Sequence, residues 1–395
     1  MALAGCGTAP EPAPALPPVP VSTSAPTPTT PTPTTATPTT VVAPPAPAPS
    51  CAQRTLAGLD ARHRAAQLLM VGVPAGNPTA GRSLVTDAAV GGVFLRGRSA
   101  RPVADVGADV AALQAAAASA GTVPLQVSAD QEGGQVQTLS GPGMPVIPSG
   151  RQQGGLDAAT LAAATTAWSS ALRRAGVTLN LAPVADVVPA GTEAANPPIG
   201  AVDREYGSTP DTVSSAVSTV VAASRAAGVG TTVKHFPGLG RVAVNTDTGT
   251  GAVDPATTAD DPALAPFAAA IAAGATAVMV SSAGYPALDP KNLAVFSRAV
   301  VTDLLRGRMG FGGLVVTDDV GQAVAVQSVA PGDRAVRFVA AGGDVVLTVR
   351  SSDVAPMTAA LVAAAAADPV FAAQVDASVT RVLQAKVDAG LLTCG

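Results

Sequence analysis

From residue 51 onward the apolar positions alternate between two patterns. Short runs rich in Val and Leu occupy 67–73, 92–96, 124–130, 178–186, 231–236, 277–282, 313–319 and 344–349. Apolar runs this short predict strands buried on both faces. Between them lie longer Ala-rich amphipathic stretches, clearest at 158–175, 210–227, 263–273, 297–308, 334–341 and 356–389, which predict helices. Strands alternating with helices predict βα units around a parallel sheet. Eight such pairs in about 340 residues fit a single α/β domain over 51–395, a (β/α)8 TIM-type barrel, better than a six-stranded open sheet with a second domain.

That pattern is absent upstream. Residues 7–50 contain 15 prolines and one charged side chain, Glu11, with repeats such as Pro26-Thr27-Pro28 and Pro31-Thr32-Pro33. So little of this can be buried that a disordered Pro/Thr-rich stalk is expected, extended in polyproline-II fashion. At about 3.1 Å per residue it would reach roughly 140 Å. Before it, Leu3-Ala4-Gly5-Cys6 resembles the lipobox of bacterial lipoproteins, which reads 1–6 as the remnant of a signal, Cys6 as the lipidated residue and the protein as exported, membrane-anchored and facing the cell wall. The membrane would then be contacted only through the lipid. Cys51 and Cys394 flank the predicted domain, and because domain termini often lie close together, a disulfide between them is expected, with two free thiols as the alternative.

Composition removes several functions. There are 23 basic and 27 acidic residues, no Lys/Arg run and a net charge of −4, which argues against a nucleic-acid partner. No stretch of about 20 residues is apolar enough to span a bilayer. Three scattered Cys and two His do not make a zinc site, and no motif calls for a metal or organic cofactor. The informative polar residues are those ending the apolar runs: Asp130, Asp186, Lys234 with His235, Ser281 with Ser282, and Asp318. Barrel enzymes assemble their sites at the C-terminal ends of strands, so the repeated pattern points to one shared polar pocket. Helix capping is the plainer account of any one of them.

Two segments are specific enough to suggest a family: Lys234-His235-Phe236-Pro237-Gly238-Leu239-Gly240 and Asp130-Gln131-Glu132-Gly133-Gly134. Leu181-Ala182-Pro183-Val184-Ala185-Asp186, Asn196-Pro197-Pro198-Ile199-Gly200, Asp203-Arg204-Glu205-Tyr206-Gly207 and Val315-Val316-Thr317-Asp318-Asp319 extend the agreement over roughly residues 57–391. Together they resemble glycoside hydrolases of family three, in particular the bacterial β-N-acetylglucosaminidases of cell-wall turnover. The resemblance implies a barrel, Asp318 as the nucleophile of a retaining reaction, and Asp130, Arg204, Lys234 and His235 as ligands of the terminal sugar. The implied substrates are N-acetylglucosamine-containing muropeptides. For Arg204 the plainer reading is an exposed pair with Asp203 or Glu205, and for His235 a core histidine.

The chain departs from that family at the loop after the fifth strand. A His held by an Asp two residues earlier normally supplies the proton there; here Asn245 stands for the Asp and Asp247 for the His. Asp247 is therefore the expected acid/base. The alternatives are another acid, an external acceptor such as phosphate, or a glycan-binding lipoprotein with little turnover. Gln135 replaces a frequent Arg, and Ser282 a frequent His.

Overall fold

A computed structural model describes residues 49–394. Cys6, residues 1–6 and most of the expected stalk lie outside the described residues. Eight parallel strands form one sheet: β1 (Leu69–Pro74), β2 (Gly92–Arg96), β3 (Gln126–Ala129), β4 (Leu179–Asn180), β5 (Gly230–Phe236), β6 (Ala277–Val280), β7 (Leu314–Thr317) and β8 (Val346–Thr348). The spatial order β7-β6-β5-β4-β3-β2-β1-β8 leaves β7 and β8 at the two ends. These ends meet at the single bridge Val316–Val345, so the sheet is a nearly closed barrel. Asp344, fully buried, fastens the seam: its Oδ2 accepts the Val315 amide at 2.8 Å, while Arg306 and Arg381 neutralise it.

The strands are apolar along their length because helices cover their outer face and side chains fill the barrel. The chain has few aromatics, so this core is built of Val, Leu and Ala, with Phe236 set edge-on to Phe267 at 5.2 Å as one larger contact. Helix starts follow the expected chemistry. The Asp157 side chain accepts the Thr160 amide at the start of Ala158–Arg174, and Thr209 caps Pro210–Ala226, where Pro210 occupies a position whose N–H has no helical partner.

Two expectations need correction. The run 178–186 supplies only Leu179–Asn180 as ladder, because Pro183 has no N–H to donate; pairing with β5 resumes at the isolated bridge Val184–Lys234. The stretch 356–389 is two helices, Val354–Ala367 and Pro369–Asp388, since the residue before a proline is driven out of helical geometry; Asp368 is extended and caps the second. A helix at Val103–Ser119, which the pattern does not single out, completes the layer between β2 and β3. Cys51 and Cys394 form a disulfide, with Cα atoms 5.6 Å apart.

Candidate active site

The C-terminal ends of the strands bring the polar residues together. Asp130 follows β3 directly, Lys234 and His235 are among the last three residues of β5, and Asp318 follows β7, its amide bonded to the Val280 carbonyl at the end of β6. Lys234 is buried between two carboxylates, with Nζ 2.6 Å from both Asp130 Oδ1 and Glu132 Oε1. Glu132 in turn is gripped by Arg204 through two parallel bonds of 2.8 Å, from Nε to Oε2 and from Nη2 to Oε1. A bidentate pair of this kind fixes the guanidinium plane as well as its charge. The plainer reading of Arg204 is thereby corrected: Arg151, not Arg204, pairs with Asp203 at 3.0 Å and with Glu205 at 2.5 Å.

Burial alone would raise the Glu132 carboxyl, yet the Arg204 and Lys234 charges outweigh it and hold it well below the usual carboxylate range. Burial likewise opposes charge on Lys234, but Asp130 and Glu132 more than reverse this and keep the ammonium. The cluster is thus ionised by mutual support.

His235 is held from behind. Asp186, fully buried, accepts the His235 Nδ1–H at 2.8 Å and two backbone amides, those of His235 at 3.2 Å and Leu239 at 2.7 Å. With the proton on Nδ1, the lone pair of Nε2 faces Arg204 Nη2 at 3.3 Å. The following loop is pinned by Tyr285, which donates to the Gly238 carbonyl, and by Asn196, whose amide donates to the carbonyls of Leu239 and Val242 at 2.8 Å. The peptide bonds Lys234–His235 and Phe236–Pro237 are cis.

Asp247 lies on the exposed loop after β5. Its amide donates to Asn245 Oδ1 at 2.9 Å, and the Asn245 carbonyl accepts the Thr248 and Gly249 amides, so Asn245 shapes the turn that presents Asp247. The Ala325 amide, in the loop after β7, bonds to the Thr246 carbonyl at 3.1 Å and ties this turn to the loop that begins at Asp318. Surrounding protein mass, and next the negative charge of Asp318, push the Asp247 carboxyl up to about 6; His235 and Arg204 pull the other way. Asp247, Asp318, Asp130, Arg204 and His235 therefore share one electrostatic field. Asp319 points elsewhere: its Oδ1 accepts the amides of Gly321 and Val349, joining the loops after β7 and β8.

The strand-end pattern singles out Asp186 but not its hold on His235, and it does not single out Glu132. Glu132 was within the Asp130–Gly134 segment, but its role appears only when the turn after β3 folds back under Lys234. Gln135 is exposed, and Ser282 is buried with its hydroxyl unpartnered among the described residues. Among the described residues, no three His, Cys, Asp or Glu side chains gather as a metal ion would require.

Residues 61–385 match the model of the glycosyl hydrolase family 3 N-terminal domain. A β-hexosaminidase of Xylella fastidiosa is 38% identical over 268 residues, 65% of this chain and 75% of that protein. The solved β-N-acetylhexosaminidase of Beutenbergia cavernae is 50% identical, with a TM-score of 0.81 over 83% of this chain and 99% of its own. A family 3 β-N-acetylglucosaminidase from a Paenibacillus species is 32% identical, with a TM-score of 0.77 over 85% and 64% respectively. With its barrel, its strand-end cluster and a family match over most of its length, the chain belongs to glycosyl hydrolase family 3.

Proposed function

We propose that the protein is a retaining, exo-acting β-N-acetylhexosaminidase that removes N-acetylglucosamine from peptidoglycan-derived glycans. The observation that carries this reading is the shared field of Asp318 and Asp247 beside the Asp130–Lys234–Glu132–Arg204 network. The Asp318 carboxylate attacks the anomeric carbon and forms a glycosyl ester while Asp247 gives its proton to the departing oxygen. Asp247, now a carboxylate, takes a proton from water, which attacks the same carbon and frees Asp318. Asp130, Lys234, Arg204 and His235 hold the hydroxyls of the terminal sugar, and Asp186 and Glu132 fix those ligands in place. The relatives named β-hexosaminidase and β-N-acetylglucosaminidase support the choice of sugar.

Phosphate as acceptor is a second reading, raised by the absence of the family's His at this position, where Asp247 stands. Water fits better, because a phosphate approaching the ester would meet the negative charge of ionised Asp247. The lipobox-like Leu3-Ala4-Gly5-Cys6 and the Pro/Thr composition of 7–50 support an exported lipoprotein held to the membrane through Cys6.

The test is release of N-acetylglucosamine from an aryl β-N-acetylglucosaminide. Asp318→Asn is expected to lower kcat by about 10³-fold or more. Near-normal turnover in that variant would overturn the assignment, and mass spectrometry of the product with and without phosphate separates the two acceptors.

A further inference from the structure

The opposite end of the barrel holds a cavity that the reaction does not use. Its volume is about 1190 Å³, and it is floored by the beginnings of β3, β5 and β7. Arg173, Arg174, Arg225 and Arg381 line it against one acidic side chain, Asp388, in a chain whose net charge is −4. Arg381 is engaged by Asp344. The Arg173 and Arg225 side chains form no ion pair or hydrogen bond among the described residues. They lie across Gly228 (φ +78°) and Gly274 (φ +92°), where the Arg173 guanidinium leaves no room for a Cβ and Arg225 Nη1 would stand 3.0 Å from one. The Gln126 side chain also lines the cavity. It is 2% exposed, and its amide has no hydrogen-bond partner among the described residues.

Arg173, Arg174 and Arg225 occupy last helical turns, where the carbonyl ends favour a cation. That preference accounts for each one singly. It does not call for them to converge on one concavity around a buried amide with open donor and acceptor atoms. Guanidinium groups match the planar oxygens of phosphate, and a carboxamide suits a hydroxyl.

We propose that this crater is a binding site for a hydroxylated phosphate ester such as a glycerophosphate group, held by Arg173 and Arg225 with Gln126 reading the hydroxyl-bearing body. The group could be a free ester or a lipid headgroup, and both share this chemistry. The proposal is independent of the hydrolytic reading, since it uses no residue of the strand-end cluster.

The full chain is titrated calorimetrically with glycerol 3-phosphate at low and high salt, and cosedimented with vesicles of phosphatidylglycerol or phosphatidylcholine. Saturable one-to-one binding of the free ester is expected, weakened at least tenfold in Arg173→Ala/Arg225→Ala and unaffected in Asp318→Asn. Both arginines are exposed, so an unchanged unfolding midpoint is expected in the double variant. Gln126→Leu is a second, independent variant and should weaken binding severalfold. Binding only to phosphatidylglycerol vesicles, lost in the double variant, would identify the headgroup as the source. No saturable binding to either probe, equal binding to both lipids, or undiminished binding in the double variant would overturn the proposal.

Discussion

Replacing Asp247 by Ala isolates the proton-transfer step. The Asp247 carboxyl is raised from its ordinary 3.8 to about 6, first by loss of solvation and then by Asp318. At pH 5 about nine-tenths of it carries the proton needed by the leaving oxygen, and at pH 7 about one-tenth does. For a natural disaccharide, whose leaving group cannot depart as an alkoxide, kcat/KM should therefore fall about tenfold per unit above pH 6. In Asp247→Ala it should drop by about 10²–10⁴, equivalent to roughly 3–5 kcal/mol of transition-state stabilisation, and the alkaline limb should disappear. A nitrophenyl glycoside needs no such proton, so its kcat/KM, which reports only formation of the glycosyl ester, should change by less than about tenfold. Asp318→Asn removes the neighbouring charge and should shift titration of the Asp247 carboxyl to lower pH, readable by carbon NMR. Equal losses of kcat/KM on both substrates, or an alkaline limb that survives in Asp247→Ala, would refute the assignment of Asp247 as acid.

Two further variants test the energetics of buried charge. Lys386 is fully buried, its Nζ donates to Gln67 Oε1 at 2.6 Å, and burial pushes the ammonium down from 10.5 to about 7. Between these values the unfolded chain binds a proton that the native state does not, so stability should rise with pH from about 7 to 10.5 and be lowest below 7, by up to about 5 kcal/mol. Urea denaturation across that range should show the rise in the wild type, a flatter profile in Lys386→Met and a higher midpoint for the variant at pH 6; a parallel profile in both would reject the account. Glu132→Gln leaves Lys234 and Arg204 buried without their shared carboxylate, and by analogy with broken buried pairs should cost about 3–5 kcal/mol of stability in addition to weakening sugar affinity. An unchanged unfolding midpoint would show that Glu132 does not support the cluster.

The barrel was legible because a parallel sheet is buried on both faces and so writes itself as short apolar runs, and the positions of Asp130, Lys234 and Asp318 followed from where those runs stop. Asp186 was legible as the end of its run, but its task of holding His235 from behind was not, and Glu132 was not legible as part of the site at all. Glu132 ends no apolar run as a ligand of the pocket would; each of the two is defined by what it grips across about 50 to 70 residues of sequence, Glu132 reaching Arg204 and Asp186 reaching His235. A buried carboxylate in such a place carries its meaning in its partners, and the partners are fixed only once β3, β4 and β5 stand side by side. Asn245 shows the converse. Read against the family pattern it is a missing carboxylate, but in the fold its side chain accepts the Asp247 amide and its carbonyl closes the turn. Exchanging Asp-x-His for Asn-x-Asp thus replaces a dyad, in which one side chain tunes the other, by a turn that positions a single carboxyl. The tuning then has to come from the surrounding protein mass and from Asp318, so on the proposed mechanism the acid depends on the ionisation of the nucleophile it serves.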